Sequence, residues 1–84
     1  MKYTVLELNA IAEEAHAENG SVCLLLSDGR EVRFPAAKNR RLRAATPKQL
    51  NNIEIICNGT GLHWPDLDED LSVLGILEGR LGPA

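Results

Sequence analysis

Apolar and polar residues fall into short blocks along this chain, and turn signals close most of them. Asn19-Gly20, Asp28-Gly29 and Asn58-Gly59 border apolar runs, and such dipeptides supply the positive φ angles that tight hairpin turns require. Between the first two lies Ser21 to Ser27, rich in Val and Leu and of strand length. After the second, Glu31-Val32-Arg33-Phe34 alternates polar and apolar as a half-buried strand does. These two runs predict a hairpin. The stretch before Asn19 fits two periods, because Leu6, Leu8, Ile11, Ala12 and Ala15 with Glu13 and Glu14 also suit a helix. A hairpin turn at Asn19-Gly20 needs a strand on each side, so a strand is expected from Ala10 to Glu18.

Thr46-Pro47-Lys48-Gln49 reads as a capping box with proline at the first helical position. It predicts a short helix over Thr46 to Asn52. Ile53 to Cys57 is β-branched and reads as a buried strand. After the Asn58 to Gly61 turn, Leu62-His63-Trp64 is expected as a short final strand ended by Pro65. Asp66 to Asp70 then precedes Leu71, Val73, Leu74, Ile76 and Leu77, an apolar set suited to a C-terminal helix with Asp70 or Ser72 as N-cap. Trp64 is expected to anchor the last strand to that helix, and Gly79 to stop it, with Gly82-Pro83 preventing its restart. The expected fold is α+β: one antiparallel sheet of three to five strands, opening with a meander and covered on one face by the C-terminal helix. No repeat or linker interrupts the pattern, so residues 1–84 are expected to form a single domain.

A chain of 84 residues buries only about 60–65% of its unfolded surface, which makes oligomerisation a natural aid to stability. With 44% hydrophobic and 25% charged residues the composition is that of a globular domain and argues against disorder. The apolar runs Val22 to Leu26 and Ile55 to Cys57 are too short to span a bilayer or serve as a secretory segment, so a cytosolic protein with no membrane role is expected. Cys23 and Cys57 sit in apolar β-type runs without Cys-x-x-Cys spacing and are expected to be buried free thiols, a disulfide being the alternative. Charge is segregated. Residues 30–48 carry +6 and the remainder −9, which suggests a basic face directed at an acidic partner, nucleic acid or another copy of the chain.

The candidate chemistry is thin. Asp66, Asp68 and Asp70 have the first spacings of a calcium loop. Leu71 stands where that loop needs Gly, however, and Leu77 where it needs Glu. Capping of a helix start explains the carboxylates more simply. His16 and His63 lack partners at metal-ligand spacing, and a hydrolytic pairing of His63 with Asp66 or Asp68 has no nucleophile in a recognisable context. Asn58-Gly59-Thr60-Gly61 lacks the Lys-Ser/Thr of a phosphate-binding loop. The sequence therefore argues against an enzyme, metal-dependent or hydrolytic, and assigns no catalytic residue, metal ligand or cofactor. Lys38, Arg40, Arg41 and Arg43 remain as the candidate interaction residues. Three aromatic residues, Tyr3, Phe34 and Trp64, give no stacking platform, so nucleic-acid binding through the basic segment would be weak and salt-sensitive.

Two segments carry a resemblance: Ala44-Ala45-Thr46-Pro47-x-Gln49-Leu50, and Gly59-Thr60-Gly61-Leu62-His63-Trp64-Pro65-x-Leu67-Asp68-x-Asp70-Leu71-Ser72-Val73. With the strand, Asp-Gly turn and strand of Val22 to Pro35, they resemble the small bacterial proteins grouped as domain of unknown function 2442. The resemblance runs from about Ala10 to Gly82. It implies an α+β fold, with His63, Trp64, Pro65, Asp68, Asp70 and Ser72 as signature residues of structural character, and it implies no catalytic activity. Some relatives resemble this domain fused to a helix-turn-helix module, and many are encoded beside another small protein in an arrangement similar to toxin–antitoxin pairs. The functional expectation is a non-catalytic protein-interaction module, antitoxin-like or regulatory, that pairs with a genetically linked small protein or with itself. The alternative is a weak nucleic-acid-binding regulator.

Overall fold

The computed structural model describes residues 11–84 and has an α+β architecture of two three-stranded antiparallel sheets and short helices. In the first sheet β1 (Ala12–Glu18), β2 (Ser21–Leu26) and β3 (Glu31–Pro35) form a meander. Asn19 and Gly20 have φ of 51° and 78°, the two positive angles of a type I′ turn, so the strand expected before Asn19 is present; Ala10 lies outside the described residues. A bulge between Ala12 and Glu14 re-phases β1. It puts Ala12 on the core side with Ala15 and Ala17, while Glu14, His16 and Glu18 face outward.

A turn of 3-10 helix, Ala36–Lys38, leads to α1 (Arg40–Arg43), which the sequence reading did not anticipate. The chain continues through α2 (Pro47–Asn51), β4 (Glu54–Ile56), a 3-10 turn at Cys57–Gly59, β5 (Gly61–Trp64), β6 (Glu69–Ser72) and α3 (Val73–Leu77). The capping box at α2 is complete: Thr46 Oγ1 accepts the Gln49 N–H at 3.2 Å, and Gln49 Oε1 accepts the Thr46 N–H at 3.0 Å.

Four expectations need correction. The strands divide between two sheets, because β4, β5 and β6 pair only among themselves. β4 is an outer strand paired on one side, so it is not buried; Ile55 is 37% exposed. Cys57 lies beyond that strand, exposed and with a φ of 54°, whereas Cys23 is buried as expected, and both are free. Finally, Trp64 does not end the last strand. Leu62 pairs with Leu71 and Trp64 with Glu69, so the acidic segment closes a β5–β6 hairpin instead of opening a helix.

The helix starts only at Val73, and Ser72 is its cap, accepting the Gly75 N–H at 2.9 Å. Of the two caps considered, Asp70 is excluded because it lies two residues before the cap position and pairs with His63 across the β5–β6 hairpin. Gly79, with a φ of 84°, ends the helix region where the sequence placed the stop. The core is one cluster that joins both sheets and the helices: Val22, Leu24 and Leu26 of β2, Phe34, Leu42, Leu50, Leu62, Trp64, Val73 and Ile76 among others. Trp64 is fully buried, and its indole N–H donates to the Leu50 carbonyl at 2.9 Å. The hydrogen-bonded anchor thus runs to α2, not to the C-terminal helix.

Asn39 is the one polar residue buried as a whole among the described residues. Its Oδ1 accepts the Arg41 and Leu42 N–H groups at 2.9 and 3.0 Å, capping α1. Its Nδ2 donates to Glu69 Oε2 at 2.8 Å and to the Leu81 carbonyl at 2.7 Å. A side-chain amide offers two acceptor sites and two donor hydrogens, so all four are used. A Cβ at Gly82, where φ is 82°, would stand 2.6 Å from Nδ2; glycine there lets the tail reach the amide.

Three outcomes are expected from this arrangement. Trp64→Ala should cost about 3–5 kcal/mol in urea unfolding followed by circular dichroism, and the native wild-type emission should be blue-shifted and resistant to iodide. Ser72→Ala should cost about 0.5–2 kcal/mol, and Asp70→Ala less, because only the first removes a cap. Asn39→Asp keeps the α1 cap but sets a carboxylate against Glu69 and the Leu81 carbonyl. It should cost roughly 3–5 kcal/mol near neutral pH, as an uncompensated buried charge does. Burial and Glu69 raise the new carboxyl's folded-state pKa above its unfolded value, so this penalty should shrink as pH falls through that raised value and should be absent below the unfolded one. Unfolding curves over a pH series measure it.

Candidate functional site

The basic segment is built by the turn of chain that follows β3. Pro35 ends the strand, the 3-10 turn and Asn39 redirect the backbone, and α1 presents Arg40, Arg41 and Arg43 beside Lys38, all exposed. The four are not equivalent. Arg41 Nη1 donates to the carbonyls of Leu67 (3.4 Å) and Asp68, and lies 3.9 Å from Asp68 Oδ2. Arg43 donates from Nη1 to the Ala37 carbonyl (3.4 Å) and from Nη2 to Ala84 O (3.0 Å). Of these four, only Lys38 and Arg40 have side chains with no hydrogen bond or ion pair among the described residues.

Arg40 and Arg41 therefore face the acidic hairpin across a polar groove of about 440 Å³, whose other walls are Asp68, Glu69, Asp70 and Pro83. Part of the charge segregation read from the sequence closes on itself within the chain.

The acidic segment itself is a turn. Pro65 follows Trp64, whose carbonyl accepts the Leu67 N–H at 3.1 Å, and Asp68 has a φ of 51°. Proline suits the second position of such a turn, and a positive φ suits Asp better than most residues. The three aspartates separate. Asp66 accepts from Asn52 Nδ2 at 3.0 Å, Asp68 has a 97% exposed side chain, and Asp70 stands opposite His63 on the neighbouring strand. No calcium-type cluster of these carboxylates forms.

His63 Nδ1 lies 2.6 Å from Asp70 Oδ1. A carboxylate oxygen accepts, so the imidazole proton sits on Nδ1. The partner is thus Asp70, not the Asp66 or Asp68 considered from the sequence, and no hydroxyl or thiol bonds to this imidazole among the described residues.

Two further features were not read from the sequence. The first is a largely apolar cavity of about 460 Å³ between the β1–β2 turn and the two helices α1 and α2. Ala17, Ala37, Leu42 and Leu50 line it, and Arg43 stands at its wall. Its volume falls within the roughly 300–1,000 Å³ typical of ligand pockets. The second lies on the outer face of the first sheet. Register places His16 opposite Cys23 and Cys23 opposite Arg33, with Glu18 two residues along. Glu18 Oε1 lies 3.3 Å from His16 Nε2, 3.2 Å from Arg33 Nη2 and 3.9 Å from Cys23 Sγ. The hydrogen bond from His16, followed by the charge of Arg33, holds the Glu18 carboxyl below its usual range. His16, partnerless by linear spacing, thus gains partners by strand pairing. The signal was available: a two-residue turn at Asn19-Gly20 fixes Glu18 opposite Ser21, and hence His16 opposite Cys23.

Among the described residues no helix is long and apolar enough to cross a membrane. A family model described as a protein of unknown function (DUF2442) matches residues 12–82. The chain is similar to a protein of unknown function from Rhodospirillum rubrum, known from a crystal structure. The two are 34% identical over 89% of this chain and 93% of that one, with a TM-score of 0.83. It is also similar to an uncharacterized protein from Chromobacterium violaceum solved by NMR, at 32% identity over 95% of this chain and 75% of that one, with a TM-score of 0.79. No curated protein matches. With nearly the whole described chain inside the family match and both solved relatives sharing its fold, the chain belongs to the DUF2442 family.

Proposed function

We propose that this chain is a non-catalytic protein-interaction domain that receives an apolar side chain of a partner in the cavity beside α1, with acidic residues of the same partner meeting Lys38 and Arg40. The observation that carries the reading is the apolar cavity itself, set against the basic segment and sharing Arg43 with it. A concave apolar surface with a charged rim suits a partner that is steered by charge and held by burial. Glu18, which also lines the cavity, is already engaged by His16 and Arg33, which reduces its opposition to an acidic segment.

Two observations favour a protein over nucleic acid. Arg41 and Arg43 donate to the chain's own carbonyls, and Asp68, Glu69 and Asp70 line the groove beside Arg40. A phosphate backbone would meet two uncommitted cations and three carboxylates. The catalytic reading has little support, because His63 is paired with Asp70 and has no nucleophile bonded to it among the described residues. The first partner to test is the product of a neighbouring small gene, including the arrangement in which this chain is antitoxin-like; a second copy of the chain is the other.

Ala37→Trp should fill the cavity and abolish co-purification with that partner, because Ala37 lines the cavity from an exposed position and lies outside the core. Lys38→Glu with Arg40→Glu should slow association roughly tenfold at low salt and leave the thermal midpoint nearly unchanged. Surface plasmon resonance across a salt series, with calorimetric melting of each variant, makes the measurement. Binding that survives Ala37→Trp, or a gel shift of DNA or RNA lost in the charge-reversed variant, would overturn the reading.

A further inference from the structure

The outer face of the first sheet gathers a histidine, a carboxylate and a thiol. His16 Nε2, Glu18 Oε1 and Cys23 Sγ all lie within 4.8 Å of one another. Cys23 is 4% exposed, and its thiol reaches the Glu18 carboxylate, 3.9 Å from Oε1. We propose that His16, Glu18 and Cys23 form a three-ligand site for Zn²⁺, with the fourth position open to water or to a donor from outside the chain.

Two of the three ligand separations lie near the values the metal requires, and the third is within 4.8 Å. Zinc bonds of about 2.0 Å to nitrogen or oxygen and 2.3 Å to sulfur, set tetrahedrally, place N and O ligands about 3.3 Å apart and S and O ligands about 3.5 Å apart. The corresponding separations are 3.3 Å and 3.9 Å. Small side-chain rotations close the second gap. The donor set is specific as well. A thiolate disfavours Ca²⁺ and Mg²⁺, whereas an imidazole, a thiolate and a carboxylate together suit Zn²⁺.

Charge balances too. Two anionic ligands neutralise the dication, so the Arg33 guanidinium, now 3.2 Å from Glu18 Oε1, faces a neutral centre and can turn to the second carboxylate oxygen. Binding requires the thiol proton to leave to solvent and the imidazole to carry its remaining proton on Nδ1. The competing reading of Cys23 as a nucleophile activated by His16 fits the geometry less well. The nearest bonded partner of Sγ is the Glu18 carboxylate, and His16 Nε2 is directed to that same oxygen.

Titration of reduced, chelator-treated protein with Co²⁺ tests the site. One equivalent should produce a thiolate-to-cobalt charge-transfer band in the near ultraviolet, which Zn²⁺ abolishes by displacement. Cys57→Ser should keep the band, because that exposed thiol lies outside the cluster. His16→Ala and Cys23→Ser should weaken binding by at least about 100-fold, more than the usual effect of losing an outer-shell partner. Cys23 is buried and its variant can fail to fold, so His16→Ala, whose side chain is 54% exposed, gives the deciding result; its fold is checked by Trp64 emission. Zn²⁺ should raise the thermal midpoint of the wild type and not that of His16→Ala. Absence of the band, its loss in Cys57→Ser, or unchanged affinity in His16→Ala would each overturn the assignment.

Discussion

Asn39 is the constraint on which the second half of this molecule depends. Helix α1 has four residues and α3 five, far below the roughly 12–15 at which an isolated helix becomes marginally stable in water. Neither can hold a position by itself. The buried amide solves the problem for one of them, capping α1 while its Nδ2 holds β6 through Glu69 and the tail through Leu81. Around it the Arg40 N–H donates to the Pro83 carbonyl and Arg43 Nη2 to Ala84 O. A buried polar group left unpaired costs about 1–3 kcal/mol, so the amide is stable inside only if helix, strand and tail arrive together. That requirement makes three weak elements cooperative.

The parts of the fold legible in the sequence are those whose signal is local. Asn19-Gly20 carries its own turn geometry, and Thr46-Pro47-Lys48-Gln49 satisfies its own helix end, so the first hairpin and α2 could be read directly. Residues 66–72 misled because acids before an apolar run have the same composition as a helix start. What selects the strand is pairing of Leu71 with Leu62 and of Asp70 with His63, a tertiary choice that overrides local preference. β4 misled for the converse reason. Its β-branched residues are right for a strand, but composition does not reveal that one edge is unpaired, and burial follows from that. Asn39 had a readable trace, an N-cap residue just before Arg40-Arg41-Leu42-Arg43; its burial and its two remote acceptors had none.

The same distinction governs the candidate sites. A search by linear spacing finds Asp66, Asp68 and Asp70 together, yet the turn sends them to Asn52, to the surface near Arg41, and to His63. It finds His16 alone, yet the hairpin register sets that residue across from Cys23 and beside Glu18. On a strand, neighbours on one face are two residues apart or lie directly across on the next strand. A constellation on a sheet is therefore scattered in sequence even when its atoms are close.

Charge shows the cost of reading the chain in one dimension. The +6 of residues 30–48 and the −9 elsewhere suggest a dipolar molecule with a basic face free for a partner. In three dimensions Arg41 reaches back to the Asp68 turn, Arg43 to the chain's end and Arg33 to Glu18. Each of these pairs is about half exposed or more, or ends on a carbonyl, so each contributes little to stability, but together they consume much of the apparent field. What is left uncommitted is narrow: Lys48 on α2, and Lys38 and Arg40 next to an apolar cavity bordered by Arg43. So few cations are a weak draw for a polyanion that must pass the three carboxylates lining the groove beside Arg40. Two cations at the rim of an apolar hollow are enough to orient a short acidic segment whose affinity comes from the side chain it buries, and so the cavity, more than the charge, decides which partner fits.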